Sequence, residues 1–359
     1  VRVVLAPDSF KGTIDCFGAA AALAEGWRSA RPADDLVLLP LADGGEGTLD
    51  VVAAAVPDAW RRIRVVTGPG GAPVEASWLL LPDGTAVVEL AQASGLPLLA
   101  HPDPLGSHTG GVGGLLAVAL DFGVRAIVVA LGGSASTDGG TGALRALGAR
   151  FVDEAGRELP LGGGALRQLS TVDLTGLRPP PRGGVVCLAD VRAPLLGPTG
   201  AAAVFGPQKG AGPAEIDVLE HGLSRLAYRM GGESEAEGAG AAGGTAYGLM
   251  AAWGARIVPG ARFVADLVGL SDRLCGADLV ITGEGRFDRT SLDGKVVGSV
   301  LDAADCPVAV VAGRFDAPVP ASVQAIDLGE LAGSVAAAQA DARRWLVQAG
   351  RELGRVSRI

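Results

Sequence analysis

The sequence predicts an α/β protein of two domains, one built on a parallel sheet and one of mixed α/β character. Three observations carry this. Short apolar runs without alternation recur, such as Ala126 to Leu131 (A-I-V-V-A-L), as in strands buried on both faces. A glycine-rich polar loop and then alanine-rich helical spacing follow most of them, which is the pattern of βαβ units. The chain has 359 residues, more than one domain of roughly 150 residues accounts for.

Taken in order, Val1 to Ala6 is the first strand and ends in P-D-S-F-K-G-T at 7–13, followed by a helix from Ala19 to Ala30. Leu36 to Leu39 is the second strand. It leads into A-D-G-G-E-G-T at 42–48 and a helix from Thr48 through Val56. From Trp60 to Leu99 the texture changes to short segments with turns at Gly68 to Gly71 and Pro82 to Gly84, so a second domain of hairpin type is expected to start there. Val87, Glu89, Ala91, Ser94 and Gly95 read as a strand followed by a turn. Leu105 to Phe122 returns to a glycine-rich turn and helix.

Leu131 to Gly140 (L-G-G-S-A-S-T-D-G-G) then joins a buried strand to a helix capped by Asp138 or Thr141. Free backbone N–H groups at such a turn suit a phosphate or carboxylate. Val185 to Leu188, Leu279 to Thr282 and Val308 to Val311 are further strands, delivering Asp190, Glu284 to Asp288, and Arg314 to loops. Open α/β sheets bind ligands at such strand ends. The two carboxylates of the 42–48 loop suit Mg²⁺, which takes one or two protein ligands and keeps waters. Lys209 is framed by Gly206, Pro207 and Gly210, as for a lysine held in place.

Composition excludes several classes. The chain is 48% hydrophobic but 4% aromatic, so small aliphatics must fill the cores, and its 56 glycines mark element ends rather than a fibre repeat. A net charge of -9 without a basic stripe argues against a nucleic-acid partner. Cys16, Cys187, Cys275 and Cys306 form no C-x-x-C pair and His101, His108 and His221 are dispersed, so neither zinc nor disulfides are expected. No apolar run reaches the ~20 residues of a membrane span, and no signal peptide fits the start; the expectation is a cytoplasmic protein with reduced thiols. The G-x-G-x-x-G match at 238–243 follows the acidic stretch 231–237 instead of a strand, so it is not read as a dinucleotide site. No P-loop occurs.

Together, P-D-S-F-K-G-T, A-D-G-G-E-G-T, L-G-G-S-A at 131–135, D-G-G at 138–140, F-G-P-Q-K-G-A at 205–211 and I-T-G-E-G-R-F-D at 281–288 resemble the bacterial glycerate kinase family. The resemblance implies a Rossmann-like domain beside a mixed α/β domain with a cleft between them. Residues 1–65, 104–150 and 275–359 are assigned to the first, and 66–103 and 151–274 to the second. It implies ATP- and Mg²⁺-dependent phosphorylation of a small hydroxy acid, D-glycerate, at the 2-hydroxyl; the alternatives are a kinase for a related acid, or a ligand-binding or regulatory member without turnover. Oligomeric state does not follow. Asp190 is expected to orient or deprotonate the hydroxyl, with Lys295 and Lys209 stabilising charge on phosphate. Asp8, Ser9, Lys11, Arg286 and Asp288 are assigned to the substrate, Gly132, Gly133, Ser134, Asp138 and Gly283 to the nucleotide, and Asp43, Glu46 and Glu284 to the metal. The chain departs from the family pattern at Gly114, Thr137, Ala193 and Arg289.

Overall fold

The structure, a computed structural model, describes residues 1–356. Among these, thirteen strands form: β1 (Arg2–Leu5), β2 (Asp35–Leu38), β3 (Trp60–Thr67), β4 (Pro73–Leu80), β5 (Thr85–Glu89), β6 (Ala126–Ala130), β7 (Arg150–Val152), β8 (Thr171–Asp173), β9 (Val185–Leu188), β10 (Arg256–Val258), β11 (Leu279–Glu284), β12 (Val308–Ala312) and β13 (Gln324–Asp327). The chain divides into two compact units, the first comprising 1–43, 50–55 and the segment from 259 onward, the second 44–49 and 56–258.

The first unit is organised on a five-stranded, all-parallel sheet in the order β2-β1-β11-β12-β13. Val3, Leu5, Ile281, Ala309 and Val311 join Leu23, Trp27, Leu346 and Leu353 from flanking helices in one core. Helix Cys16–Ala30 starts where the Asp15 carboxylate accepts the Gly18 N–H at 2.6 Å, an N-cap that satisfies one free helix donor. It packs on helix Ala342–Val356 at backbone distance. A Cβ on Gly26 would lie 1.9 Å from the Val347 carbonyl oxygen, and one on Gly350 would lie 2.2 Å from that of Leu23. Two glycines therefore set this crossing. Because β1 is flanked by β2 on one side and β11 on the other, the loops after β1 and β11 leave neighbouring strand ends at the switch point, where such sheets bind ligands.

The second unit holds a six-stranded mixed sheet in the order β10-β9-β6-β5-β4-β3 and a two-stranded β7-β8 pair. Strands β10, β9, β6 and β5 run parallel, while β4 and β3 are added antiparallel as the hairpin expected from Trp60 onward. Trp78, Val88, Ile127, Val129 and Cys187 pack against Leu115, Leu144, Leu223 and Tyr247 in its core.

Two expectations need correction. Residues 104–150 do not belong with β1: β6 pairs with β5 and β9, and its loop and helix stay with that sheet. A buried strand and its turn read alike in either sheet, because the apolar run records burial and not the neighbour. Residues Leu90–Ser94, within the segment read as a strand followed by a turn, form a short helix after β5. Among the described residues no helix is long and apolar enough to cross a membrane.

Candidate active site

The loops at the carboxyl ends of β1, β11 and β12 line a cavity of about 360 Å³ in the first unit. Into it come Asp8, Ser9 and Lys11 after β1, Glu284 to Arg286 and Asp288 from β11, and Arg314 after β12. Asp43, beyond β2, and Lys295, at the start of helix Val296–Ala303, complete its charged wall. Parallel strands place all these residue types at one end of the sheet, so the periodic strand-then-polar-loop pattern becomes a single site.

Charge within the cavity is mixed and closely set. Lys11 Nζ lies 2.7 Å from Asp43 Oδ2. Asp8 is 7% exposed, and its Oδ1 accepts the Ser9 N–H at 2.7 Å. Burial first, and then the neighbouring Asp43 carboxylate, push Asp8 well above the usual carboxylate range. Glu284 is 8% exposed, burial raises it too, and its Oε1 is a buried oxygen with no hydrogen-bond partner. Asp288 caps the turn Arg289–Leu292, accepting the Thr290 N–H at 2.8 Å and the Thr290 hydroxyl at 2.6 Å; these bonds hold it below its ordinary value. Arg289, one of the departures from the family pattern, opens that turn.

Gly283 does not line the cavity. It sits inside β11, where a Cβ would come 2.1 Å from the Val311 carbonyl oxygen, and its own carbonyl accepts the Asp8 N–H at 2.9 Å. It is a close-packing position that seats Asp8.

The second unit carries Glu46, Gly132, Gly133, Ser134, Asp138, Asp190 and Lys209. Asp190 is half-buried just past β9. Around 131–140 several of the backbone donors expected to cradle an anion are bonded within the protein. The Gly132 N–H is donated to Gly44 at 3.2 Å, that of Ala135 to Ser94 at 2.9 Å, and that of Gly139 to Gly243 at 3.0 Å. The fully buried Asp138 carboxylate takes the N–H groups of Thr109, Gly140 and Gly142 and the Thr109 hydroxyl, all within 2.8–3.1 Å. The N-cap of helix Thr141–Ala146 is Gly140 in the left-handed region, not Asp138 or Thr141 as expected, and the Asp138 carboxylate, two residues earlier, takes free N–H groups at the helix start. The Ser134 hydroxyl is turned to Ser136, and a Cβ on Gly133 would meet Glu46 Oε1 at 2.7 Å.

Lys209 is also not a free cation. It is 2% exposed, donates to the Ser136 carbonyl, and burial pulls it from an ordinary 10.5 down to about 7 against the opposing pull of Asp138. Its ammonium anchors the 131–140 loop from beneath.

Among the described residues no group of three or more His, Cys, Asp or Glu side chains is gathered to hold a metal ion, so Asp43, Glu46 and Glu284 do not form a metal cluster. The sequence placed Arg314 in a strand-end loop without assigning it a role, and reasoning from sequence overlooked Gln339 in the cavity wall. Arg314 follows a buried strand as the other loop residues do, which was its signal; Gln339, on helix Val335–Ala340, had none. It also overlooked Glu89, which ends β5 buried and accepts the Leu49 N–H at 3.0 Å, holding the 44–49 loop.

Comparison with known proteins adds the following. A sequence profile described as the glycerate kinase family matches residues 3–358. A glycerate kinase of Bacillus subtilis (strain 168) is 43% identical over 329 residues, covering 88% of this chain and 85% of that protein. A glycerate 2-kinase of Escherichia coli (strain K12) is 41% identical over 327 residues, covering 88% and 86%. The crystal structure of a protein assigned as glycerate kinase 2 from Salmonella typhimurium LT2 superposes with a TM-score of 0.76 at 35% identity, covering 99% of this chain and 97% of that one.

Proposed function

The chain belongs to the glycerate kinase family and is a kinase, and on that premise we propose that it transfers the γ-phosphoryl group of ATP to the 2-hydroxyl of D-glycerate, giving 2-phosphoglycerate. The observation that carries this reading is the first unit's cavity, where cationic and acidic side chains from several strand ends meet at the switch point of a parallel sheet. Phosphoryl transfer asks for positioning and for charge opposite the transferred group rather than for covalent chemistry, and this inventory supplies both.

In the proposed reaction the substrate hydroxyl oxygen forms a bond to the γ-phosphorus as the bond from that phosphorus to the ADP oxygen breaks. The hydroxyl proton passes to Asp8. A carboxylate raised by burial and by Asp43 is a stronger base than a solvated one, which suits it to that role. Lys11 and Lys295 stabilise the charge that spreads over the phosphoryl oxygens.

The residues fit a divalent cation, because Glu284 leaves a buried oxygen without a partner and the charges of Glu284 and Asp43 both act on Asp8. Mg²⁺ needs only one or two carboxylates when phosphates and water complete its shell. Glu284 and Asp43 would hold it, and bound there it would neutralise phosphate charge. The proposed compartment is the cytoplasm, where ATP is supplied and four unpaired cysteines remain thiols.

A coupled assay of ADP release with MgATP tests the reading. Turnover with D-glycerate is expected; absence of turnover with D-glycerate, L-glycerate and related hydroxy acids would sink it. Asp8→Asn is expected to lower kcat by about 100-fold or more, and Asp190→Asn run beside it separates the two carboxylates.

A further inference from the structure

The loops that follow β11 and β12 are joined to each other beyond the sheet. Phe287 and Phe315 form a bridge, the Phe287 N–H donates to the Arg314 carbonyl at 3.0 Å, and the Asp316 N–H donates to that of Phe287 at 2.8 Å. The two rings meet at a tilt of 47° with centroids 5.2 Å apart, and Phe287 is fully buried. This zipper sets the preceding residues, Arg286 and Arg314, side by side on the cavity wall.

Both guanidiniums converge on one oxygen. Asp316 Oδ2 lies 2.6 Å from Arg286 Nε and 3.2 Å from Arg314 NH2, with Asp288 more distant, 3.8 Å from Arg286. One carboxylate oxygen shared by two cations leaves both only partly neutralised. Arg286 and Arg314 are 57% and 44% exposed, so they keep open edges towards the cavity. Guanidinium forks match a carboxylate bidentately, which an ammonium does not.

We propose that Arg314, paired with Arg286 and aligned by their common partner Asp316, is the seat for the carboxylate of the hydroxy acid. Arg314 is then a specificity-determining residue: it selects acids over neutral polyols of the same size. The phosphate of the nucleotide is the other anion that such a fork accepts, and the kinetic arms below separate the two. The inference rests on the kinase reading for its turnover assay, but not for its binding assay.

Wild type, Arg314→Gln and Arg314→Lys are compared in ADP release with D-glycerate and ATP varied in turn. For Arg314→Gln the KM for D-glycerate is expected to rise about 10- to 100-fold, as for loss of a charge-assisted hydrogen bond, with the KM for ATP unchanged. Arg314→Lys should restore part of the loss. A rise in the KM for ATP instead assigns the fork to phosphate and overturns the proposal, as does an unchanged KM for both. Calorimetric titration with D-glycerate and with its uncharged amide, glyceramide, needs no turnover. Wild type should prefer the acid, and Arg314→Gln should lose that preference. If wild type binds the acid but releases no ADP, the kinase reading fails while the seat stands; equal preference in both proteins refutes the seat.

Discussion

Replacing Lys209 by Met should remove a pH dependence of stability that the wild-type fold carries. Lys209 has an ordinary value of 10.5 and about 7 in the folded protein, with burial as the cause. Between those two values the unfolded chain binds a proton that the folded chain does not. Stability therefore rises with pH across that window and is level below it. With these two values, this one group makes the wild type more stable by about 3 kcal/mol at about pH 9 than at about pH 6. Met matches the lysine stem in volume and brings no charge. The Ser136 carbonyl keeps a donor in the Ser134 hydroxyl at 3.2 Å, so the substitution strands no acceptor there. Urea unfolding of both proteins at both pH values gives a double difference from which the other titrating groups cancel. The wild type should gain about 3 kcal/mol more than Lys209→Met on going to the higher pH. Equal gains would refute a buried, easily deprotonated Lys209.

Three further outcomes are expected. Thr137→Val should raise stability by about 1 kcal/mol, read as urea midpoint, because the fully buried Thr137 hydroxyl has no partner and Val keeps the shape. Gly26→Ala should lower the thermal midpoint, by an amount equivalent to about 1–3 kcal/mol, since its Cβ would lie 1.9 Å from a carbonyl oxygen of the packed helix; an unchanged midpoint would mean the crossing is looser than described. Glu284→Gln should abolish most turnover yet raise stability at neutral pH. The folded protein holds the Glu284 proton more tightly than the unfolded chain, so wild-type stability falls as pH rises through the window above the ordinary carboxylate value, and Gln removes that fall.

Much of the first unit's site was legible because parallel strands buried on both faces appear as unbroken apolar runs, and whatever follows them lies at one end of the sheet. Asp8, Ser9, Lys11, Asp43, Glu284, Arg286 and Asp288 follow strand ends by that rule, Lys295 was assigned from the family resemblance, and all line one cavity. Side-chain direction was not legible. Asp138 and Lys209 have the residue types of an anion site, yet the carboxylate turns back on the start of its own helix and the Lys209 amine points at the Ser136 carbonyl within the loop. Nor does composition reveal a register: β6 has the same texture as β1 but pairs in the other sheet. Gly283 illustrates a third limit, since a glycine required for a close backbone approach and one required for a ligand carry the same letter.

The pairing of β1 with β11 joins Val3 to Leu279 across nearly the whole chain, while β3 to β10 lie between them in sequence. On the ribosome this imposes an order. At about 5–20 residues per second, the interval between synthesis of those two partners is roughly 15–55 s. For that time β1 and β2 have only each other, and the apolar face of helix Cys16–Ala30 lacks its C-terminal mate. The segment 56–258 is by then complete and free to condense on its own sheet. The amino-terminal strands, made first, thus wait until residue 279 for their inner partner, and a chain stalled before Leu279 would present them to chaperones and proteases with Asp8 lacking the Gly283 carbonyl that seats it.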